Sequence, residues 1–214
     1  MVEYTIVSKG DLTERVGSLI LYNLKKYEKI LKPWLNIEVF IDYFKMRAGD
    51  IVVENMGGAT GHTDNDGSKI NFYVNCNARG FIHELERASA HELAHVKRLQ
   101  ELYQSDSLLD RIACEGTAQC FEEYVMGKIS PPSRAINKYT ARWIWKEIRN
   151  KLDSTDFDLY KKIFFTNGDK YAYPLWSGYT ISYMIVSKRV KELNMPWDEL
   201  LAVDSKTLVG NGLD

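Results

Sequence analysis

The stretch His91-Glu92-Leu93-Ala94-His95 is the part of this sequence that says most about its fold and chemistry. One turn of an α-helix takes about 3.6 residues, so side chains four positions apart, such as those of His91 and His95, project from the same face. Two imidazoles stacked in this way can occupy two neighbouring corners of a zinc tetrahedron. Glu92 can then reach a metal-bound water without becoming a ligand itself. The spacing therefore predicts a helix that carries a catalytic metal site.

The residues around this motif follow the period of an amphipathic helix from Leu85 to Leu102. The apolar side is formed by Leu85, Ala88, Val96, Leu99 and Leu102, and the charged side by Glu86, Arg87, Lys97, Arg98 and Glu101. Glu92 falls in the middle of the apolar stripe, and the two histidines fall along its flank. A carboxylate that faces a core is costly unless a partner stabilises it, and a solvated helix face would have placed it among the lysines and arginines. These surroundings favour a functional site over a chance match to the motif.

A third protein ligand is expected on the next helix, which the apolar pattern predicts from Asp106 to Met126. Glu115 lies at the edge of that helix's apolar stripe, and nineteen residues separate it from His95. Carboxylates at the edge of an apolar stripe are usually only solvated, so the position of Glu115 alone does not indicate a metal ligand. Together with the two histidines it completes a His2Glu set, which leaves the fourth zinc position open to water, as catalysis requires.

With this ligand set the chain resembles the gluzincin superfamily of zinc metallopeptidases, in which a His-Glu-x-x-His helix is followed by a glutamate on the next helix. The thermolysin-like members have the same nineteen-residue gap, and the run Glu115-Gly116-Thr117-Ala118 resembles the glutamate helix of the gluzincin aminopeptidases. The segments at 163–165 and 173–186 are similar to a family of predicted zinc-dependent proteases catalogued as a domain of unknown function. With the metal helices, this second resemblance covers residues 70–205.

The resemblance implies an α+β fold, with a small N-terminal mixed sheet packed on the active-site helix and a mostly helical C-terminal lobe after it. The predicted elements follow the same order. From about residue 81 onward only helices and loops are predicted. Before it, a long helix is predicted from its cap at Asp11 to about Leu31. Strands are predicted at Tyr4–Val7, Ile37–Tyr43, Ile51–Glu54 and Ile70–Val74. A chain of 214 residues can bury one sizeable core. We therefore predict a single domain over 1–214, with a strand-rich lobe at 1–80 and a helical lobe at 81–214 that carries the zinc site.

Gluzincins bind an extended peptide along the edge strand of the sheet, and the resemblance implies such a strand here. The best candidate is Ile70–Val74, which comes just before the metal helix. Strand addition would use backbone hydrogen bonds, which give affinity with little sequence preference. The same pattern is equally compatible with an interior strand. The preceding segment, residues 57–67, is glycine-rich and is predicted to be a connection with a turn at Asp66-Gly67.

The tetrahedral intermediate of acyl transfer needs a hydrogen-bond donor for its oxyanion. Outside the motif the sequence contains only two histidines, His62 and His83, so a tyrosine is the more natural donor, as in the aminopeptidase-like gluzincins. Tyr179, which follows Gly178 near a break in the helical pattern, is the first candidate, and Tyr183, one turn later, is the second. A packing role for either ring is equally compatible with the sequence.

Gln119 lies one turn after Glu115 and is predicted to orient a zinc-bound histidine by a hydrogen bond. In thermolysin-like relatives an acid occupies this kind of position. The histidines of this chain are therefore expected to be less basic.

These residues predict a zinc-dependent peptide hydrolase with one Zn2+ per chain. A zinc-bound water activated by Glu92 would attack the scissile carbonyl, and Glu92 would then deliver the proton to the leaving amine. Two alternatives stay open: a zinc-dependent hydrolase of a small non-peptide amide or ester, and a catalytically silent gluzincin-fold binding protein. The presence of Glu92 argues against the silent protein, because a structural zinc site needs no base beside its ligands.

The composition is that of an ordinary globular enzyme, with 45% hydrophobic and 27% charged residues. A net charge of −1 gives no reason to expect nucleic acid or an anionic membrane as a partner, so the expected partner is a peptide or protein substrate. Neither a secretory signal nor a run of about 20 apolar residues is visible, which favours a cytoplasmic location. The odd number of cysteines, three, without Cys-x-x-Cys spacing favours thiols that pack in the core.

Overall fold

The computed structural model describes residues 2–7, 11–43, 57–102, 105–165 and 173–213. The described chain is α+β, with a small mixed sheet towards the N-terminus and mostly helices after it, as the sequence predicts. The chain divides into two compact units, residues 1–102 and 103–214. The single domain with a lobe boundary after residue 80 stays a prediction.

The first unit contains the four strands of the sheet and two long helices. In chain order the strands are β1 (Tyr4–Val7), β2 (Ile37–Tyr43), β3 (Ala59–Thr63) and β4 (Lys69–Val74), and the helices are α1 (Asp11–Leu31) and α2 (Phe81–Glu101). The bounds of β1 and β2 are those predicted from the sequence, and α1 begins at Asp11, the residue predicted as its cap. The strand predicted at Ile51–Glu54 lies outside the described residues.

The four strands are arranged in the order β1-β2-β4-β3. β2 pairs in parallel with both β1 and β4, while β3 and β4 form an antiparallel hairpin. Parallel neighbours need a crossover connection, which α1 supplies between β1 and β2. The turn of this hairpin lies at the predicted place. It is closed by a hydrogen bond from the amide of Gly67 to the carbonyl oxygen of Asp64. Gly67 takes a φ of 69°, a left-handed conformation that favours glycine.

The prediction that Ile70–Val74 is an edge strand is wrong. These residues belong to β4, which lies between β2 and β3, and Ile70, Phe72 and Val74 are all fully buried. Among the described residues the edge on this side of the sheet is β3, which had been predicted to be part of a glycine-rich connection. Alternation of apolar residues reports that one face of a strand is buried. It says nothing about how many neighbours that strand has.

The sheet and the two helices of the first unit pack together. α1 packs against α2, and α2 also packs against β3 and β4. Burial alternates along β2, where Val39 and Ile41 are buried while Glu38 and Asp42 are exposed, so one face of the sheet belongs to the core. The contact between α2 and β3 is the one that matters for the site, because it brings residues of the edge strand to the helix that carries the motif.

The second unit is helical. It contains α3 (Leu108–Met126), α4 (Lys138–Ile148), α5 (Phe157–Phe164), α6 (Ser177–Leu193), α7 (Trp197–Leu200) and α8 (Ser205–Val209), with short 3-10 turns at Pro132–Arg134 and Arg149–Lys151. Apolar residues of α3 to α6 and α8 form its core. α3 and α6 approach closely at Gly116, where a Cβ would lie 2.7 Å from the carbonyl oxygen of Ser182. In the part of the chain that the structure describes, no helix is long and apolar enough to cross a membrane.

Candidate metal centre

Helix α2, which carries the motif, is buried over much of its circumference. The apolar residues Leu85, Leu93 and Val96 have no exposed surface, as the predicted stripe requires. The side predicted to be charged is buried as well, since Lys97 is 6% exposed and Arg98 has no exposed surface. α2 is therefore held by neighbouring structure on several sides, which makes it a rigid support for the motif.

His91 and His95 face each other on α2, as their spacing predicts. Their Nε2 atoms lie 3.0 Å apart, and the two ring centroids are 4.6 Å apart with an interplanar angle of 82°. His95 is 9% exposed, and His91 is half-buried. Two nitrogen ligands of a tetrahedral zinc ion, each about 2.0–2.1 Å from the metal, lie roughly 3.4 Å apart. The pair of Nε2 atoms therefore fits two corners of such a site after a small movement.

Glu92 is buried against the edge strand β3, with 4% of its surface exposed. The hydroxyl of Thr63 donates to Oε2 of Glu92 over 2.7 Å. On the same strand, a Cβ added to Gly61 would lie 2.9 Å from Oε1 of Glu92. Neither Thr63 nor Gly61 was identified from the sequence, because a short strand of small residues has no apolar periodicity. The available signal was the glycine itself, since glycine within a strand often marks the close approach of another group.

Glu115 lies on α3 in the second unit, where it is half-buried. Tyr160, which was not predicted from the sequence, is its electrostatic neighbour. Burial raises the pKa of the Tyr160 hydroxyl, and the negative charge of Glu115 raises it further. The guanidinium of Arg111, one turn before Glu115, lies 4.0 Å from the centre of the Tyr160 ring. The Glu115 carboxylate is thus part of a polar group that also includes an arginine and a tyrosine of the same unit.

The side chains of the three predicted ligands, His91, His95 and Glu115, are of the types that hold metal ions in proteins. Two imidazole nitrogens and one carboxylate oxygen are a donor set of catalytic zinc sites that keep a fourth position open. The donor chemistry of this group therefore fits zinc.

The other predicted site residues lie on α3 and α6. Gln119 is 2% exposed, and among the described residues neither polar atom of its amide has a hydrogen-bond partner. The ring of Tyr179 packs edge-on against Phe164, with 5.2 Å between the centroids. The Tyr183 hydroxyl donates to the Glu123 carboxylate over 2.6 Å, and burial and this hydrogen bond raise the pKa of Tyr183. The roles of Gln119 and Tyr179 stay predictions.

Comparison with models of protein families matches residues 22–210 to a family described as predicted Zn-dependent protease (DUF2268). The chain belongs to this family. The match includes α2, α3 and α6, and therefore every residue of the candidate metal centre. It confirms the resemblance to predicted zinc proteases of unknown function that the sequence motifs indicated. No curated protein and no solved structure gives a significant match.

Proposed function

We propose that this protein is a zinc-dependent peptide hydrolase that uses Glu92 as its general base. The observation that carries the proposal is the pair of Nε2 atoms 3.0 Å apart on α2, beside a buried carboxylate of the same helix. A structural metal site needs no base next to its ligands, whereas metal-assisted hydrolysis does. Membership of a family described as predicted Zn-dependent protease supports the same class of reaction.

His91, His95 and Glu115 would each give one donor atom to the metal. The donor set supports this assignment, because two imidazole nitrogens and one carboxylate oxygen are ligands of catalytic zinc sites. When bound, zinc supplies a Lewis acid that polarises the scissile carbonyl and lowers the pKa of water towards about 7. Three protein ligands leave one position for the reactants.

Gln119 would orient one of the two histidines by a hydrogen bond. Its burial without a hydrogen-bond partner among the described residues supports such a role. A buried amide without a partner costs about 1–3 kcal/mol, so its retention calls for an explanation. A histidine ring that turns to bind metal would give this amide a partner.

Glu92 would take a proton from the attacking water and later give it to the leaving amine. Burial against β3 supports this role, because a carboxylate that is shielded from water exchanges its proton with the reactants and not with bulk solvent.

Tyr179 would donate a hydrogen bond from its hydroxyl to the oxyanion of the tetrahedral intermediate. Tyr183 is the weaker candidate, since its hydroxyl already donates to Glu123.

The substrate would bind as an extended strand along β3. The hydrogen bonds at residues 58 and 64 indicate that the backbone of the even-numbered residues is directed towards β4. In an antiparallel pair this direction alternates, so the N–H and C=O groups of Ala59, Gly61 and Thr63 point the other way. Among the described residues no strand pairs with them on that side. A peptide could add there as a further strand, with little sequence preference.

The substitution Glu92→Gln tests the proposed function. Glutamine keeps the size of the side chain but cannot accept the proton, so hydrolysis should fall by about 10²–10⁴-fold while zinc stays bound. The assay should follow peptides and intact proteins beside a panel of small amides and esters, because a hydrolase of small molecules would use the same chemistry. Glu14→Gln, at an exposed position of α1, is the matched control. Near-native turnover of a verified substrate by E92Q would contradict the mechanism.

A further inference from the structure

Two residues of β3 enclose the carboxylate of Glu92 from one side. The Thr63 hydroxyl lies 2.7 Å from Oε2, and a Cβ on Gly61 would lie 2.4 Å from Cγ, 2.8 Å from Cδ and 2.9 Å from Oε1 of Glu92. Both residues are on the face of β3 that packs on α2, because alternate residues of a strand share a face. The edge strand thus contacts the side chain that is the candidate base.

We propose that Thr63 and Gly61 are positioning residues that fix the orientation of the Glu92 carboxylate. Thr63 engages Oε2, and Gly61 leaves the space in which the carboxylate lies, so that Oε1 is the oxygen available for proton transfer. This inference rests on the proposed function, since it assigns to β3 the task of orienting the base of that reaction.

The hydroxyl of Thr63 is well suited to hold a carboxylate in one orientation. It has one proton to donate, and its two possible acceptors on Glu92 are Oε2 at 2.7 Å and the backbone carbonyl at 3.2 Å. The shorter distance and the charge of the carboxylate favour Oε2. Thr63 is also β-branched, so its χ1 is restricted. Its backbone is fixed by its neighbour Asp64, whose amide donates to the carbonyl of Lys69 in β4. The donor is therefore in place before the reaction begins.

Gly61 is required for space and not for backbone conformation. Its φ lies outside the left-handed region that favours glycine, so another residue could adopt this backbone. A Cβ could not be accommodated, because distances below about 3 Å to Cγ and Cδ would force the Glu92 side chain away from its present position. Gly61 therefore allows the helix that carries the base to approach the strand.

The same strand would orient both the base and the substrate. The backbone N–H and C=O groups of Gly61 and Thr63 point to the open edge of the sheet, while the Thr63 side chain points to Glu92. A peptide that pairs with these groups would be placed relative to Glu92 by a single rigid element. Such orientation has a large effect on the rate, because a displacement of a reacting group by about 1 Å can lower the rate around 100-fold.

The variants Thr63→Val and Thr63→Ser separate positioning from packing. Valine keeps the shape and suits a strand but has no hydroxyl, so kcat should fall by roughly 10–100-fold with KM nearly constant. Serine keeps the hydroxyl and should recover most of kcat. Thr5→Val is the matched control, because Thr5 is exposed on β1, at the other end of the sheet, and the variant should leave kcat unchanged. Zinc content and thermal stability are measured on each preparation. Zinc content should stay at the wild-type level, whereas T63V should melt at a lower temperature than T63S because the buried Glu92 carboxylate loses a hydrogen-bond donor.

In Gly61→Ala the added methyl group displaces the Glu92 carboxylate while the Thr63 hydroxyl is still present. This variant should lower kcat by a similar factor, roughly 10–100-fold.

Crystal structures of the metal-free proteins add a result that does not depend on activity. The Glu92 carboxylate should rotate in T63V and shift in G61A, and it should keep its position in T63S. An unchanged carboxylate and unchanged kcat in T63V or in G61A overturn the role of that residue. Loss of activity in E92Q with none in T63V would overturn the positioning role alone. An active E92Q would overturn the proposed function, and the carboxylate positions in the metal-free structures would still decide this inference.

Discussion

Several ionisable side chains of α2 are buried, and each is stabilised in a different way. The ammonium of Lys97 donates to the carbonyl oxygen of Lys32 and to the carboxylate of Glu101. Glu92 instead accepts a hydrogen bond from the neutral hydroxyl of Thr63. At the scale of single residues, Glu92 is therefore held by a short polar side chain of the edge strand, which fixes the orientation of its carboxylate without a second charged group.

The substitution Tyr179→Phe tests the assignment of the oxyanion donor. If the hydroxyl meets the developing negative charge, kcat should fall by about 10²–10³-fold with KM nearly constant, because the interaction forms only in the transition state. Phenylalanine keeps the ring that packs on Phe164, so zinc content and melting temperature should not change. Steady-state kinetics, metal analysis and thermal unfolding on one preparation check all three expectations.

The control for this experiment is Tyr183→Phe. This change removes the hydrogen bond to Glu123 and should cost about 1 kcal/mol of stability without a loss of kcat. A kinetic defect in Y183F and none in Y179F would place the donor one helical turn later. Wild-type kinetics in both variants would rule out a donor on this segment of α6.

Elements with a regular apolar pattern were predicted well from the sequence. β1 and β2 have the predicted bounds, α1 lies where its apolar pattern predicts it, and α2 follows from its apolar stripe. β3 was missed because Ala59-Thr60-Gly61-His62-Thr63 contains only small or polar residues, which give no strand signal. Because β3 is not predicted from the sequence, the sequence places β4 at the edge of the sheet. The residues that hide β3 from prediction are the same ones that let it approach Glu92.

The candidate site was predictable to the extent that it is local in sequence. His91 and His95 are brought together by helical geometry alone, and their Nε2 atoms are 3.0 Å apart as a consequence. The contact of Thr63 with Glu92 joins residues 29 positions apart and depends on strand order, which no local pattern reports. Tyr160, near Glu115, depends in the same way on the packing of helices. Non-local contacts of this kind require the tertiary structure.

The start of α3 gives a prediction at the scale of one element. Asp110 accepts hydrogen bonds from the hydroxyls of Ser105, Ser107 and Ser205, and thereby ties the first turn of α3 to α8. Asp110→Asn should lower the free energy of unfolding at neutral pH by about 1–2 kcal/mol, because it weakens these charge-assisted hydrogen bonds and removes a negative charge from the first turn of α3. Denaturant unfolding measures the loss. Asp158→Asn, an exposed residue in the first turn of α5, is the control and should cost little.

The same variant predicts how the loss depends on pH. Partial burial opposes ionisation of Asp110, but the hydrogen bonds from Ser105, Ser205 and Ser107 outweigh it and hold its pKa below the usual 3.8. A carboxyl whose pKa is lower in the folded state stabilises the fold above its unfolded pKa. This contribution is lost as the pH falls through the folded-state pKa. The difference between wild type and D110N should therefore shrink at acidic pH, and a difference that grows there would contradict the assignment.

At the scale of the whole molecule, the proposed metal ligands come from two separate units. His91 and His95 belong to residues 1–102, and Glu115 belongs to residues 103–214. Nineteen residues lie between His95 and Glu115, so an unfolded chain has no preformed site with all three donors. A metal that binds only the folded protein stabilises it by mass action, by about 2.7 kcal/mol when the free metal is at 100 times its dissociation constant.

Metal analysis and thermal unfolding should therefore agree on the ligands. The purified wild type is expected to hold one zinc ion per chain, and chelation should lower its melting temperature on the order of 5–10 °C for a chain of this size, reversibly on adding zinc. Replacing His91, His95 or Glu115 by alanine should reduce both the zinc content and the response to the chelator. The matched control is E92Q, which should keep the wild-type zinc content and response, because Glu92 is proposed as a base and not a ligand. Full zinc occupancy in all three alanine variants would show that the metal is held elsewhere.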